Sequence, residues 1–120
     1  MPAIHEIQTI GEDPSTATAP ALSDYQAHSK GWAETEFPVA TEAGVTAGRW
    51  TGEPGWVEFD SWPYREFCVI LEGRVAVESR DGTERFEYGP GEAFTIPQGF
   101  NGRWVTLEPT RKVFIGIETH

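Results

Sequence analysis

The sequence predicts an all-β protein. Three observations carry that prediction. From Ala33 onward, Val, Trp, Phe and Ile recur in short runs. Gly or Pro interrupts those runs every several residues, and both are turn formers. No segment of helical period reaches four turns. At 120 residues the chain reads as one domain around one core.

The elements follow in order. Residues 3–10 are expected to form a short strand pinned by Ile4 and Ile10. "GEDPSTATAPALSD" is rich in Pro, Ser, Thr and Ala, and reads as an extended arm. Residues 1–32 are thus an N-terminal strand and arm, and 33–120 the folded domain. Strands are expected at 33–37, 45–51, 55–60, 64–72, 74–80, 83–88, 93–97, 102–108 and 110–118. Asp81–Gly82 is the strongest signal for a two-residue hairpin. "GPGE" and "PQGFNG" are further turns.

Alternation assigns faces. Val75 and Val77 oppose Arg74, Glu78 and Arg80, as in a half-buried strand. The run 67–71 reads as core, with Phe67, Val69 and Leu71 on one face and Cys68 and Ile70 on the other. Val113, Ile115 and Ile117 oppose Lys112 and Phe114. Two strands apolar on both faces call for an outer cover. A second copy of the chain, giving a homodimer, would supply it, and a folded-back N-terminal arm would do so as well.

Composition removes several functions. Nine Lys and Arg stand against 19 Asp and Glu, a net charge of −10. No cluster of basic residues is available for nucleic acid or for an anionic membrane surface. The acidity serves solubility on the plainest reading. Cys68 is the single cysteine, so no intrachain disulfide forms. Inside an apolar run it reads as a small buried hydrophobe rather than a reactive thiol. With no signal-peptide core and no apolar run long enough to span a bilayer, a cytoplasmic protein is expected. Ser61 and Ser79 have no histidine placed near them, and no Gly-rich loop opens a helix.

Two spacings sharpen the fold. Glu66 precedes Gly73 by seven positions, and Gly91 is followed by Pro97 and Gly99. These match the end of the first and the start of the second cupin motif. The sequence therefore resembles the cupins, small jelly-roll β-barrels, over residues 33–118. Gly48–Trp50, Pro54–Gly55, Glu66, "LEG", "PQGFNGRW" and Arg111–Lys112 look like a narrower branch. That branch groups ureidoglycine aminohydrolase-like cupins with the ethanolamine-utilisation cupin. The resemblance implies a cupin-type jelly roll with an extended N-terminal arm.

The departures from the family bear on function. Metal-binding cupins place two histidines ahead of the motif-one Glu and a third in motif two. Here those positions fall at about Asp60, Trp62 and Gly102, and only Glu66 keeps its usual residue. His5, His28 and His120 lie outside the motifs. No resident metal or other cofactor is expected, since carboxylates alone favour at most a weak hard-cation site at Glu66. A carboxylate inside a barrel needs a partner. Lys112, one of two lysines, and Arg49 are candidates, with backbone groups or Tyr64 as the other option. Trp62 either fills the former metal space or walls a pocket. Trp50 and Trp104 match branch positions and read as structural. Arg49 and Arg103 are candidates for holding a ligand carboxylate.

The function expected is that of a metal-poor cupin binding a small polar organic molecule in the barrel mouth. Glu66, Lys112, Trp62, Tyr64 and Arg49 are the candidate binding residues. No catalytic residue is assigned. The alternatives are a metal-dependent enzyme on a nitrogen-containing metabolite, as the ureidoglycine aminohydrolase resemblance implies, and an interaction module with a filled barrel.

Overall fold

A computed structural model describes residues 1–119. It has eight strands: β1 (Ala27–His28), β2 (Glu34–Pro38), β3 (Val45–Gly52), β4 (Gly55–Phe59), β5 (Arg65–Ser79), β6 (Arg85–Tyr88), β7 (Ala93–Ile96) and β8 (Gly102–Ile117). Three single 3-10 turns precede them. Every pairing is antiparallel.

Two long strands organise the sheet. β5 and β8 pair from Arg65–Ile117 to Ser79–Gly102. The other edge of β8 is shared. Its second half pairs with β3 and its first half with β4. β2 extends β3, and β1 extends β4. The free edge of β5 takes β7 and then β6. One strand with different neighbours along its length forces the sheet to curl, and the result is a half-barrel.

The expected breaks at residues 73 and 109 are bends inside continuous strands. The β5–β8 register shifts between Ile70 and Val75. Gly73 sits there at φ +92°, and a Cβ on it would meet the Pro109 carbonyl oxygen at 2.3 Å. Only glycine combines that backbone conformation with so close an approach. Pro109 lies in the same irregular stretch, where a missing ladder donor costs least.

Alternation decides what is inside. Glu66, Cys68 and Ile70 of β5 are buried, as are Trp104, Thr106, Thr110, Lys112 and Phe114 of β8. Trp50, Val57, Val75, Ile96, Trp32 and Trp62 belong to the same core. Aromatic rings dominate it. Trp104 packs edge-on to Trp50 at 5.7 Å and against Phe94 at 6.1 Å, and Phe94 stacks on Tyr88 at 4.0 Å.

Phe67, Val69 and Leu71 are not core. They lie on the outer face of β5 and are exposed, beside Ile115 and Ile117 of β8. The period of two cannot say which face is inside, and the inner face here carries the charged pair.

Residues 3–10 form no strand. Ile4–Glu6 is a single 3-10 turn with Ile4 exposed. The segment is tied down further along, where the Ile10 carbonyl accepts from Arg49 and Glu12 pairs with Arg49 and Arg111. The following arm, expected to be extended, carries two 3-10 turns at Pro14–Thr16 and Leu22–Asp24, and touches β2 through a Thr18–Glu36 bridge between them. Its two-residue strand β1 was not anticipated. The Asp81 hairpin is present, but its loop is longer than two residues. Ser79 N–H donates to the Glu84 carbonyl, and only Gly82 takes positive φ, at +75°. A two-residue type I′ turn needs positive φ at both central residues. Asp81 instead accepts from Ser79 Oγ at 2.7 Å and Thr83 N–H at 3.0 Å. No helix among the described residues is long and apolar enough to cross a membrane.

Candidate functional site

The inner face of the half-barrel encloses a cavity of about 330 Å³. β5 presents Glu66, and β8 presents Trp104, Lys112 and Phe114. β2 contributes Glu34 and Glu36, and β3 contributes Trp50. Ser61, Trp62 and Tyr64 come from the β4–β5 connection, and Tyr25 and Trp32 from the arm.

Glu66 and Lys112 form a buried ion pair. Lys112 Nζ lies 2.6 Å from Glu66 Oε2, and both side chains are almost wholly buried. The two are not opposite in register, since Glu66 pairs with Gly116 and Lys112 with Ile70. Both face in, and the long lysine side chain reaches along the inner face past Cys68 to the carboxylate. Trp62 Nε1–H donates to the other carboxylate oxygen at 3.2 Å, and Cys68 Sγ–H donates to Oε2 at 2.6 Å. The ammonium also sits 4.1 Å from the centre of the Trp104 ring and 4.9 Å from that of Trp50. Cation–π attraction therefore adds to the ion pair where water is excluded.

Burial alone would push the Lys112 ammonium below its usual range. The negative charge of Glu66, with Glu36 behind it, reverses this and holds it above. Burial pushes the Cys68 thiol up, and the pull of Lys112 does not restore it. A charged lysine and a protonated thiol are poor nucleophiles at neutral pH. The cluster is suited to binding and positioning. Burial also raises the Tyr64 phenol, and Glu66 adds to that effect. The Tyr64 ring packs on Gly116, where a Cβ would come within 2.6 Å of it.

A second carboxylate cluster lies opposite. Glu34 accepts from the Tyr25 hydroxyl, from Trp32 Nε1–H at 2.6 Å and from Trp50 Nε1–H at 2.9 Å. Burial raises the Tyr25 phenol, with Glu34 the next cause. Glu36 also lines the cavity. Burial, then the charge of Glu34, holds its carboxyl above the ordinary range, while Lys112 pulls the other way.

Of the five expected binding residues, the structure brings Glu66, Lys112, Trp62 and Tyr64 to one cavity. Arg49 is elsewhere. It alternates with the inward Trp50, so it lies on the outer face of β3, bonded to Ile10 and Glu12. Arg103 also faces out, paired with Glu58 at 2.5 Å and stacked on Trp56 at 4.3 Å. Glu34 and Glu36 went unrecognised. Their signal was the alternation in "ETEF", which places two carboxylates on one face of an edge strand.

The donors present do not fit a transition metal. Glu66 already faces an ammonium, and the indole N–H of Trp62 offers no lone pair. Asp60 is exposed, and Asn101 donates to its carbonyl. A Cβ at Gly102 would meet the Phe100 ring at 2.4 Å and the Glu78 carbonyl oxygen at 2.5 Å, so no side chain fits there. Among the described residues no three His, Cys, Asp or Glu side chains converge on one point.

Comparison with known proteins places this geometry. No curated protein matches the chain. Ethanolamine utilization protein Q from Salmonella typhimurium LT2 is similar in structure, with TM-score 0.62 and 20% identity over 72% of this chain and 71% of that one. EutQ from Clostridium difficile gives TM-score 0.66 at 14% identity, over 84% and 81% of the two chains. At these identities the likeness speaks for the fold. A DUF861 family protein from Thermotoga maritima is 34% identical over 57% of this chain and 75% of that one, with TM-score 0.51. Residues 39–114 match the EutQ-like cupin domain, and that span holds β3 to β7, most of β8 and the Glu66–Lys112 pair. The chain belongs to the EutQ-like cupin domain family.

Proposed function

We propose that this cupin is metal-poor and binds a small polar organic molecule in its interior cavity. The observation that carries the reading is the pairing of Lys112 with Glu66 at one wall of an open, aromatic-lined space. The lysine supplies the positive charge that a metal ion supplies to a cupin carboxylate. About 330 Å³ is at the small end of ligand-pocket volumes. It favours a binding role over an interaction module with a filled interior. A metal-dependent enzyme on a nitrogen-containing metabolite would need ligands that Trp62 and Gly102 do not provide.

Plugging the cavity tests the reading. Ser61 is exposed and lines the cavity. Ser61→Trp should fill the space without disturbing the core. Polar metabolites that shift the wild-type melting temperature should then lose that effect. Shifts that persist in Ser61→Trp would place binding elsewhere and overturn the proposal.

A homodimer belongs to the same proposal. Phe67, Val69, Leu71, Ile115 and Ile117 form an exposed apolar face on paired strands. The arm contacts Arg49, Arg111 and β2 instead, and Phe67, Val69, Leu71, Ile115 and Ile117 remain exposed in the folded chain. A second copy covering the face would bury on the order of 1,000 Å² or more.

A further inference from the structure

The polar groups around the cavity differ in what they have left to offer. Among the described residues Lys112 is its only basic side chain, and that charge is matched by Glu66 at 2.6 Å. The indole N–H groups are also engaged: Trp32 and Trp50 donate to Glu34, Trp62 to Glu66, and Trp104 to Thr106. An anionic ligand would find few donors. These tryptophans can offer a ligand only their ring faces, which carry partial negative charge.

The carboxylates are unequal too. Glu34 has three donors and Glu66 has three. Glu36 lines the same cavity, yet no hydrogen bond or ion pair to its carboxylate is found among the described residues. Its backbone is fixed by the bridge to Thr18, so the side chain is held at the cavity wall. Burial and the nearby Glu34 make its charge costly when nothing pairs with it. The Tyr64 hydroxyl, also at the wall, has no hydrogen-bond partner among the described residues either.

Building on the cavity as a ligand site, we propose that its ligand is a small organic cation, an amine-bearing molecule whose ammonium group pairs with Glu36 and rests against the indole faces. The ammonium supplies the partner that Glu36 lacks. It also offsets a lining that, among the described residues, sets four carboxylates (Asp24, Glu34, Glu36 and Glu66) against one lysine. The Tyr64 hydroxyl then accepts or donates one hydrogen bond to a polar end of the ligand.

Three probes of equal length and different charge test this: n-butylammonium, 1-butanol and butyrate, each titrated to about 50 mM at constant ionic strength. The indole N–H signals of Trp32, Trp50, Trp62 and Trp104 are followed by NMR. Butylammonium should shift them saturably and bind most tightly of the three. Glu36→Gln should weaken it by about tenfold or more and leave 1-butanol unchanged. If butyrate or 1-butanol binds as well as butylammonium, the cavity stands as a ligand site and the cation assignment falls. Unchanged butylammonium binding by a folded Glu36→Gln protein would remove Glu36 from the site and overturn the proposal. If no probe shifts any indole signal, the ligand-site reading falls with it.

Discussion

Lys112 reaches Glu66 across the β5–β8 pairing, and its ammonium lies 2.6 Å from the carboxylate and 4.1 Å from the centre of the Trp104 ring. Both charges are buried, so each depends on the other. In a cupin that binds metal, the motif-one glutamate faces a metal ion. Here Glu66 faces the ammonium of Lys112, a side chain of the same protein.

Metal content follows from this. After extensive dialysis the purified protein should hold far less than one equivalent of Mn, Fe, Ni or Zn, measured by elemental analysis. Near-stoichiometric metal that disappears in Glu66→Gln would show that Lys112 does not occupy the metal's place.

Assembly is the second expectation. Sedimentation should give a dimer at micromolar concentration. Val69→Asp and Ile115→Glu, on the exposed apolar face, should each yield a folded monomer. A wild-type monomer at high concentration would instead leave that face uncovered in solution.

Glu36 gives a pH-dependent prediction. Its folded-state carboxyl is raised above 4.5 by burial and by Glu34 and Glu66, against the pull of Lys112. A raised carboxyl favours the folded state while protonated. That contribution is complete below the unfolded value and is lost as pH rises through the folded one. Glu36→Gln should therefore raise the melting temperature at about pH 7 and have little effect at about pH 4. Equal effects at both values would show that Glu36 titrates normally.

Much of this was legible in the sequence, for identifiable reasons. Turn glycines and short apolar runs marked most strands. The spacing from Glu66 to Gly73 marked the inward carboxylate, whereas Gly73, expected as a break between two strands, is a bend inside the continuous β5. Lys112 was readable as a partner because few basic residues were available. Arg49 was misplaced because charge alone does not reveal a face. Its neighbour Trp50 took the interior, leaving Arg49 to the arm. Phe67, Val69 and Leu71 oppose the equally apolar Cys68 and Ile70, so alternation called for an outer cover on one face but did not tell which face was inside. Glu34 and Glu36 were missed because their environment comes from distant segments: Tyr25 and Trp32 in the arm, Trp50 in β3 and Lys112 in β8.

The most direct test is a double-mutant cycle on the ion pair, read by denaturant unfolding. Glu66→Leu leaves a buried ammonium unpaired, and Lys112→Met leaves a buried carboxylate. Each should cost roughly 3–5 kcal/mol. The double variant removes both charges, so it should cost far less than the two singles combined. A coupling of more than about 2 kcal/mol is expected for groups in such contact. If the two effects simply add, Glu66 and Lys112 do not hold each other inside the barrel, and the account built on their pairing is wrong.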